Sequence, residues 1–130
     1  MKDLDVILEG IVEDFDARYD PDAYHFVMEA LNYTQKRFSA PKHVTSAEVL
    51  QGVRELLLRK YGPLTITVLK HWGIHTTEDV GNIIFNLVEN HVLTKTTEDN
   101  IDQFRNGFDF DEVFTEGYRK QLHKRVSRMK

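Results

Sequence analysis

A chain of 130 residues has the size of one domain and buries about two-thirds of its unfolded surface, so a single core suffices. Hydrophobic and charged fractions of 41% and 29% exclude a disordered or fibrous chain, and the lack of cysteine excludes disulfides, thiolate metal sites and cysteine nucleophiles. The net charge of −4 is unevenly divided: residues 119–130 hold six Lys and Arg and no acid, which leaves 11 bases against 21 acids elsewhere. An anionic body repels nucleic acid and anionic membranes at long range, so such a partner has to be gripped by the tail or by a local patch.

Leu4, Ile7, Leu8, Ile11, Val12 and Phe15 recur at helical spacing among Asp5, Glu9 and Glu13, which predicts an amphipathic first helix. Asp20-Pro21 reads as a cap followed by proline at the first helical position, opening a second helix to about Phe38. Its apolar residues cover more than one face, so it is expected to be central. Thr45 with Glu48 has the form of a capping box for a third helix, whose core side is Val49, Leu50, Val53, Leu56 and Leu57. Tyr61-Gly62-Pro63 then makes a corner into a short fourth helix ending near His71, with a strand at the β-branched run Thr65-Ile66-Thr67-Val68 as the alternative. Thr76 with Asp79 opens a fifth helix whose stripe, Val80, Ile83, Ile84, Leu87 and Val88, is the clearest in the chain.

Beyond Asn90-His91 the pattern changes. Val92-Leu93-Thr94-Lys95-Thr96 alternates as a short strand does, followed by a polar turn at Thr97-Glu98-Asp99-Asn100. After the Asn106-Gly107 turn, Phe108-Asp109-Phe110 reads as a brief return strand before a last helix, with a helix that begins already at Phe110 and runs through Val113 and Phe114 as the alternative. The fold class predicted is mainly α with a small β-hairpin, a compact helical domain with a winged-helix-like C-terminal half. One domain over residues 1–118 is expected, with residues 119–130 as a basic tail or helix extension.

The strings Tyr61-Gly62-Pro63-Leu64, His71-Trp72-Gly73-Ile74, Thr76-Thr77-Glu78-Asp79 and Ile83-Ile84-Phe85-Asn86-Leu87-Val88-Glu89 carry a likeness. They resemble a family of short bacterial proteins of the Verrucomicrobia and Planctomycetes type to which no function is assigned, and the likeness covers residues 24 to 114. It implies a bacterial, cytoplasmic protein and transfers no catalytic residues. The start Met1-Lys2-Asp3-Leu4-Asp5 lacks a signal-peptide pattern, and no apolar run approaches the about 20 residues of a membrane span, so a cytoplasmic protein without a transmembrane segment is expected.

Several constellations suggest chemistry. In a DNA-binding winged helix the fifth helix enters the major groove, yet here Glu78 and Asp79 would face phosphates and only Asn82 and Asn86 suit bases. His71, His75 and Asp79 stand four apart, the only spacing that suggests a metal, but Gly73 interrupts the helical face they would share. Asp14, Asp16, Asp20 and Asp22 evoke a calcium loop, which fails because Tyr19 occupies the glycine position and His25 the glutamate position. Ser39, Ser46 and Ser127 lie in no nucleophile setting, while Asp109, Asp111 and Glu112 leave an acid/base pair open. In the tail, Leu122, Val126 and Met129 stand at helical spacing among Arg119, Lys120, Lys124, Arg125, Arg128 and Lys130, the set a nucleic-acid-binding or membrane-surface helix would use.

The reading is a non-enzymatic module that presents an acidic surface to another macromolecule, most simply a protein, with no catalytic residues and no cofactor. The alternatives are a nucleic-acid-binding regulator gripping through the basic tail and a small enzyme of unidentified class.

Overall fold

In a computed structural model that describes residues 3–38, 44–94, 101–117 and 119–120, five α-helices follow one another in the order expected. Helix α1, Leu4–Asp14, starts where the Asp3 carboxylate accepts the backbone N–H of Asp5, and it buries Leu8 and Ile11. Helix α2, Pro21–Arg37, is capped by Asp20, whose Oδ1 accepts the Asp22 N–H at 2.9 Å. That contact accounts for one acid of the rejected calcium loop. Helix α2 packs against α1 and against the three helices that follow it, the central position its two apolar faces require.

Helix α3, Ser46–Tyr61, has the expected capping box, with Glu48 N–H donating to Thr45 Oγ1 and Thr45 N–H to Glu48 Oε1. Helices α2 and α3 approach closely at Gly52, where a Cβ would lie 1.9 Å from Thr34 Oγ1. A 3-10 turn, Gly62–Leu64, leads into α4, Thr65–Trp72, so the β-branched run is helical. Thr65, Leu69 and Trp72 bury one face at helical spacing, and Thr65 Oγ1 donates to the Gly62 carbonyl at 2.8 Å. The helix stops at Gly73 with φ +83, where Ile74 N–H bonds to the Leu69 carbonyl and Gly73 N–H to that of Lys70.

Helix α5, Thr77–Glu89, begins with Asp79 Oδ2 accepting the N–H of Thr76 at 3.1 Å and of His75 at 2.8 Å. Its ridge is closed: Ile83 and Leu87 are fully buried in a core shared with Leu8, Val27, Val53 and Leu57. A 3-10 helix, Ile101–Phe104, crosses α5 with the Phe104 ring against Gly81, and a π-helical segment, Glu112–Gly117, packs on α4.

The β-hairpin and the winged-helix likeness are not found: the described residues contain no β-ladder strand. Residues 95–100, the expected polar turn and the end of the first strand, lie outside the described residues. Val92 and Leu93 instead send their N–H groups back to the Leu87 carbonyl, while His91 N–H bonds to that of Val88. His91 takes the left-handed conformation, φ +61, so unsatisfied carbonyls at the end of α5 capture the segment that alternation alone marks as a strand. Nor is Phe108-Asp109-Phe110 a strand. The chain is helical from Phe110, with Asp109 Oδ1 accepting the Glu112 N–H, and Phe108, Phe110 and Phe114 form a triangle of rings 5.7 Å apart. Phe114 joins the cluster one helical turn after Phe110, a spacing that a two-residue alternation does not supply.

Arg119 and Lys120 are helical and exposed, whereas Lys124, Arg125, Arg128 and Lys130 lie outside the described residues. No described helix is long and apolar enough to cross a membrane.

Candidate functional site

Polar side chains gather in two places, one closed and one open. The closed one lies where the corner between α1 and α2 meets α5. The Tyr19 hydroxyl donates to Asp79 Oδ1 at 2.5 Å and accepts from Asn82 Nδ2 at 3.1 Å. One helical turn on, buried Asn86 donates to Asp16 Oδ2 at 2.8 Å and to the Tyr24 hydroxyl at 3.0 Å. Asp16 also accepts the guanidinium of Arg18 at 2.7 Å.

Asp16, Tyr19 and Tyr24 are moved away from neutrality in this network. The Arg18 guanidinium, helped by Asn86, holds the Asp16 carboxyl down at about 2. Burial pushes the Tyr19 hydroxyl well above its ordinary value, reinforced by its bond to Asp79, and burial raises Tyr24 as well. General acid–base catalysis works best with groups that titrate near the operating pH, and a carboxylate and phenols displaced in these directions exchange no proton there. The arrangement is a polar clasp that ties the α1–α2 corner to α5, with each group satisfied by another.

The clasp also accounts for several residues with chemical promise. Asn82 and Asn86, the only base-reading candidates on α5, face inward and are engaged. Glu78 pairs with Arg105 at 3.1 Å. Both Asp79 oxygens are occupied by Tyr19 and by the start of α5. His71 and His75 are exposed on either side of Gly73 and are not brought onto one face with Asp79, and among the described residues no cluster of three His, Asp or Glu is arranged to hold a metal ion.

The open place lies on the opposite flank of α5, between α3 and the segment after residue 101. A cavity of about 670 Å³ is lined by Leu50, Gln51 and Arg54 from α3 and by Gln103, Asn106 and Phe108 from the facing turn. The turn is held firmly. Thr77 Oγ1 donates to the Phe104 carbonyl at 2.6 Å and accepts the Gly107 N–H at 3.0 Å, while Asn106 is left-handed at φ +55. Gly107 lets the turn approach α3 closely, since a Cβ there would lie 2.5 Å from Leu50 Cδ1 and that side-chain tip would have to shift.

Arg54 also borders a second hollow, of about 530 Å³, with Asp109, Asp111, Glu112, Glu116 and Lys120. All four acids are exposed, and among the described residues none forms an ion pair. Arg54 likewise has no carboxylate at ion-pair distance there, whereas neighbouring Glu55 is taken by Arg37 and Tyr33. Of the tail cations expected to bind nucleic acid, Lys120 lies in this acidic hollow and Arg119 beside it in solvent. The sequence flagged Asp109, Asp111 and Glu112 only as carboxylates in number. Arg54 carried no signal, and Asn106 and Phe108 were read only as turn and strand residues, since their shared cavity depends on packing between segments about fifty residues apart.

The chain matches no protein-family model, no curated protein and no solved structure.

Proposed function

We propose that this domain is a non-enzymatic interaction module that presents an acidic surface to another macromolecule, and that what it receives is a basic segment of a protein. The observation that carries the reading is the hollow at Asp109, Asp111, Glu112 and Glu116, where four exposed carboxylates converge without an ion-paired cation among the described residues. Like charges on one wall repel one another and set up a local negative potential, which an incoming Lys or Arg side chain relieves. The lack of cysteine supports a reducing, cytoplasmic setting, in keeping with the resemblance to short bacterial proteins.

The test is a titration of a fluorescent arginine-rich peptide at low and at physiological salt. Binding that weakens with salt, and that falls at least tenfold in the double variant Asp111→Asn/Glu112→Gln, is expected; no binding at low salt overturns the reading. A second reading is nucleic-acid binding through residues 119–130, favoured by the exposed helical start at Arg119 and Lys120. It expects a low-salt gel shift with mixed DNA or RNA that disappears on removal of residues 119–130.

A further inference from the structure

The cavity beside α3 and the acidic hollow share Arg54 and form one open groove. Asn106 and Gly107 make a turn on its wall, and Asn106 also borders a smaller cavity of about 320 Å³ at the start of α5. Two separate demands set this pair. The backbone at Asn106 is left-handed, φ +55, a conformation that asparagine tolerates better than most residues. At Gly107 a Cβ would lie 2.5 Å from Leu50 Cδ1 and 3.1 Å from Thr77 Oγ1, so glycine lets the turn approach α3 and α5 together. Answering both demands places side by side the two residues whose dipeptide most readily loses its side-chain amide. The other asparagines precede Tyr33, Ile83, Leu87, His91 and Ile101, whose side chains crowd the nitrogen that would attack.

In that reaction the Gly107 amide nitrogen gives its proton to a base of the solvent and bonds to the side-chain carbonyl carbon of Asn106. The side-chain NH2 takes up a proton and leaves as ammonia, and water then opens the cyclic imide at either carbonyl, giving aspartate or isoaspartate. The nitrogen attacks only once it has lost its proton and turned toward the side chain before it. Here it is held from doing either. Gly107 N–H donates to Thr77 Oγ1 at 3.0 Å, and the same hydroxyl donates to the Phe104 carbonyl at 2.6 Å, so one buried side chain fastens both ends of the turn. The near side is anchored further by the buried ring of Phe104 against Gly81 and by Arg105, paired with Glu78 at 3.1 Å. Asn106 itself is exposed to the water that the reaction consumes.

We propose that Asn106-Gly107 is a deamidation site that Thr77 keeps closed, so that the amide is lost only when the turn after Phe104 lifts from the start of α5. Water is the only co-reactant, and the mark is lasting. Either product adds a carboxylate to the cavity that residue 106 shares with Asp109. Isoaspartate also lengthens the backbone by one atom just before the Gly107 nitrogen, which takes that N–H out of register with Thr77. A turn modified in this way does not close as before, and the rate of modification measures how often the segment opens. No partner is needed for this chemistry, which is therefore independent of the acidic-surface reading.

The test follows loss of the amide by peptide mapping and mass spectrometry during incubation in heavy-oxygen water at mildly alkaline pH, for the native chain and for the same chain in urea. In urea Asn106 is expected to react faster than any other asparagine and to take up heavy oxygen. In the native chain it is expected to react about tenfold more slowly or less, the protection that hydrogen bonding of the turn provides. Thr77→Val, which keeps the shape and removes the hydroxyl, is expected to speed the native reaction about tenfold and to leave the rate in urea unchanged. Thr77→Ser, which keeps the hydroxyl, is expected to retain the slow rate. Equal rates at Asn106 in the native chain and in urea, or a native rate that Thr77→Val does not change, overturns the proposal. Hydrogen exchange at the Gly107 N–H of the unaltered protein supplies a check that does not depend on the variant folding: protection is expected there, and exchange at the unprotected rate overturns the proposal as well.

Discussion

The clasp between the α1–α2 corner and α5 is built from the same residue types as the groove beside α3, and the two are used in opposite ways. At the clasp, Asp16, Tyr19, Tyr24, Asp79, Asn82 and Asn86 answer one another's hydrogen bonds inside a region nearly closed to water. At the groove, Arg54 and four carboxylates face solvent without ion pairs among the described residues. Buried polar groups that find partners determine which helices meet, whereas exposed ones without partners add little to stability and stay available to a ligand. The displaced titration of Asp16, Tyr19 and Tyr24 therefore marks a structural tie and not a place where a ligand is received.

Four substitutions test that contrast, from the largest expected effect to the smallest. Gly73→Ala strikes the corner that supports the clasp, because its φ of +83 disfavours a side chain and a Cβ would lie 2.2 Å from the Arg18 carbonyl oxygen. Backbone cannot yield as a side-chain tip does, so chemical denaturation is expected to show a loss of about 3 kcal/mol or more. Asn86→Ala leaves the Tyr24 hydroxyl and one Asp16 oxygen without their buried donor, and the same measurement is expected to show a loss of about 2–3 kcal/mol. A loss under half that size would mean that water replaces the amide and that the clasp is not closed.

The third test uses pH. Because the folded Asp16 carboxyl titrates at about 2, below its ordinary 3.8, the unfolded chain binds the proton more readily than the folded one. Its contribution is complete above about pH 5 and is lost as pH falls toward 2, and with Arg18 60% exposed to screening water it amounts to about 1–2 kcal/mol. Asp16→Asn is expected to flatten that part of the stability curve between pH 5 and 2. The smallest effect belongs to the groove: Asp111→Asn/Glu112→Gln is expected to change unfolding free energy by less than about 0.5 kcal/mol while weakening the arginine-rich peptide. Destabilisation of the size seen at Asn86 would place those carboxylates in the architecture and erase the contrast.

Local chemistry explains what was legible beforehand. The caps at Asp20, Thr45 and Thr76, the corner at Tyr61-Gly62-Pro63 and the stop at Gly73 each depend on residues within four positions of one another, and all appear where expected. The hairpin is the instructive exception. Alternation at Val92-Leu93-Thr94-Lys95-Thr96 describes a possible strand, but it carries no information about the free carbonyls at the end of α5 that take up Val92 and Leu93. Likewise, Phe108 and Phe110 alternate like strand residues until Phe114 joins them in one cluster.

The acids of the last helix were visible as a count, and their convergence with Arg54 was not. A sequence of this kind determines by itself which segments coil and which faces are oily, because helical periodicity and capping act over one or two turns of backbone. Tertiary structure alone decided which polar residues close on each other and which stay open, since the bonds of Tyr19, Tyr24 and Asp16 span 60 to 70 residues. Hydrogen bonds of that reach exist only once the apolar faces have packed and brought their ends within about 3 Å, and no local pattern encodes that meeting.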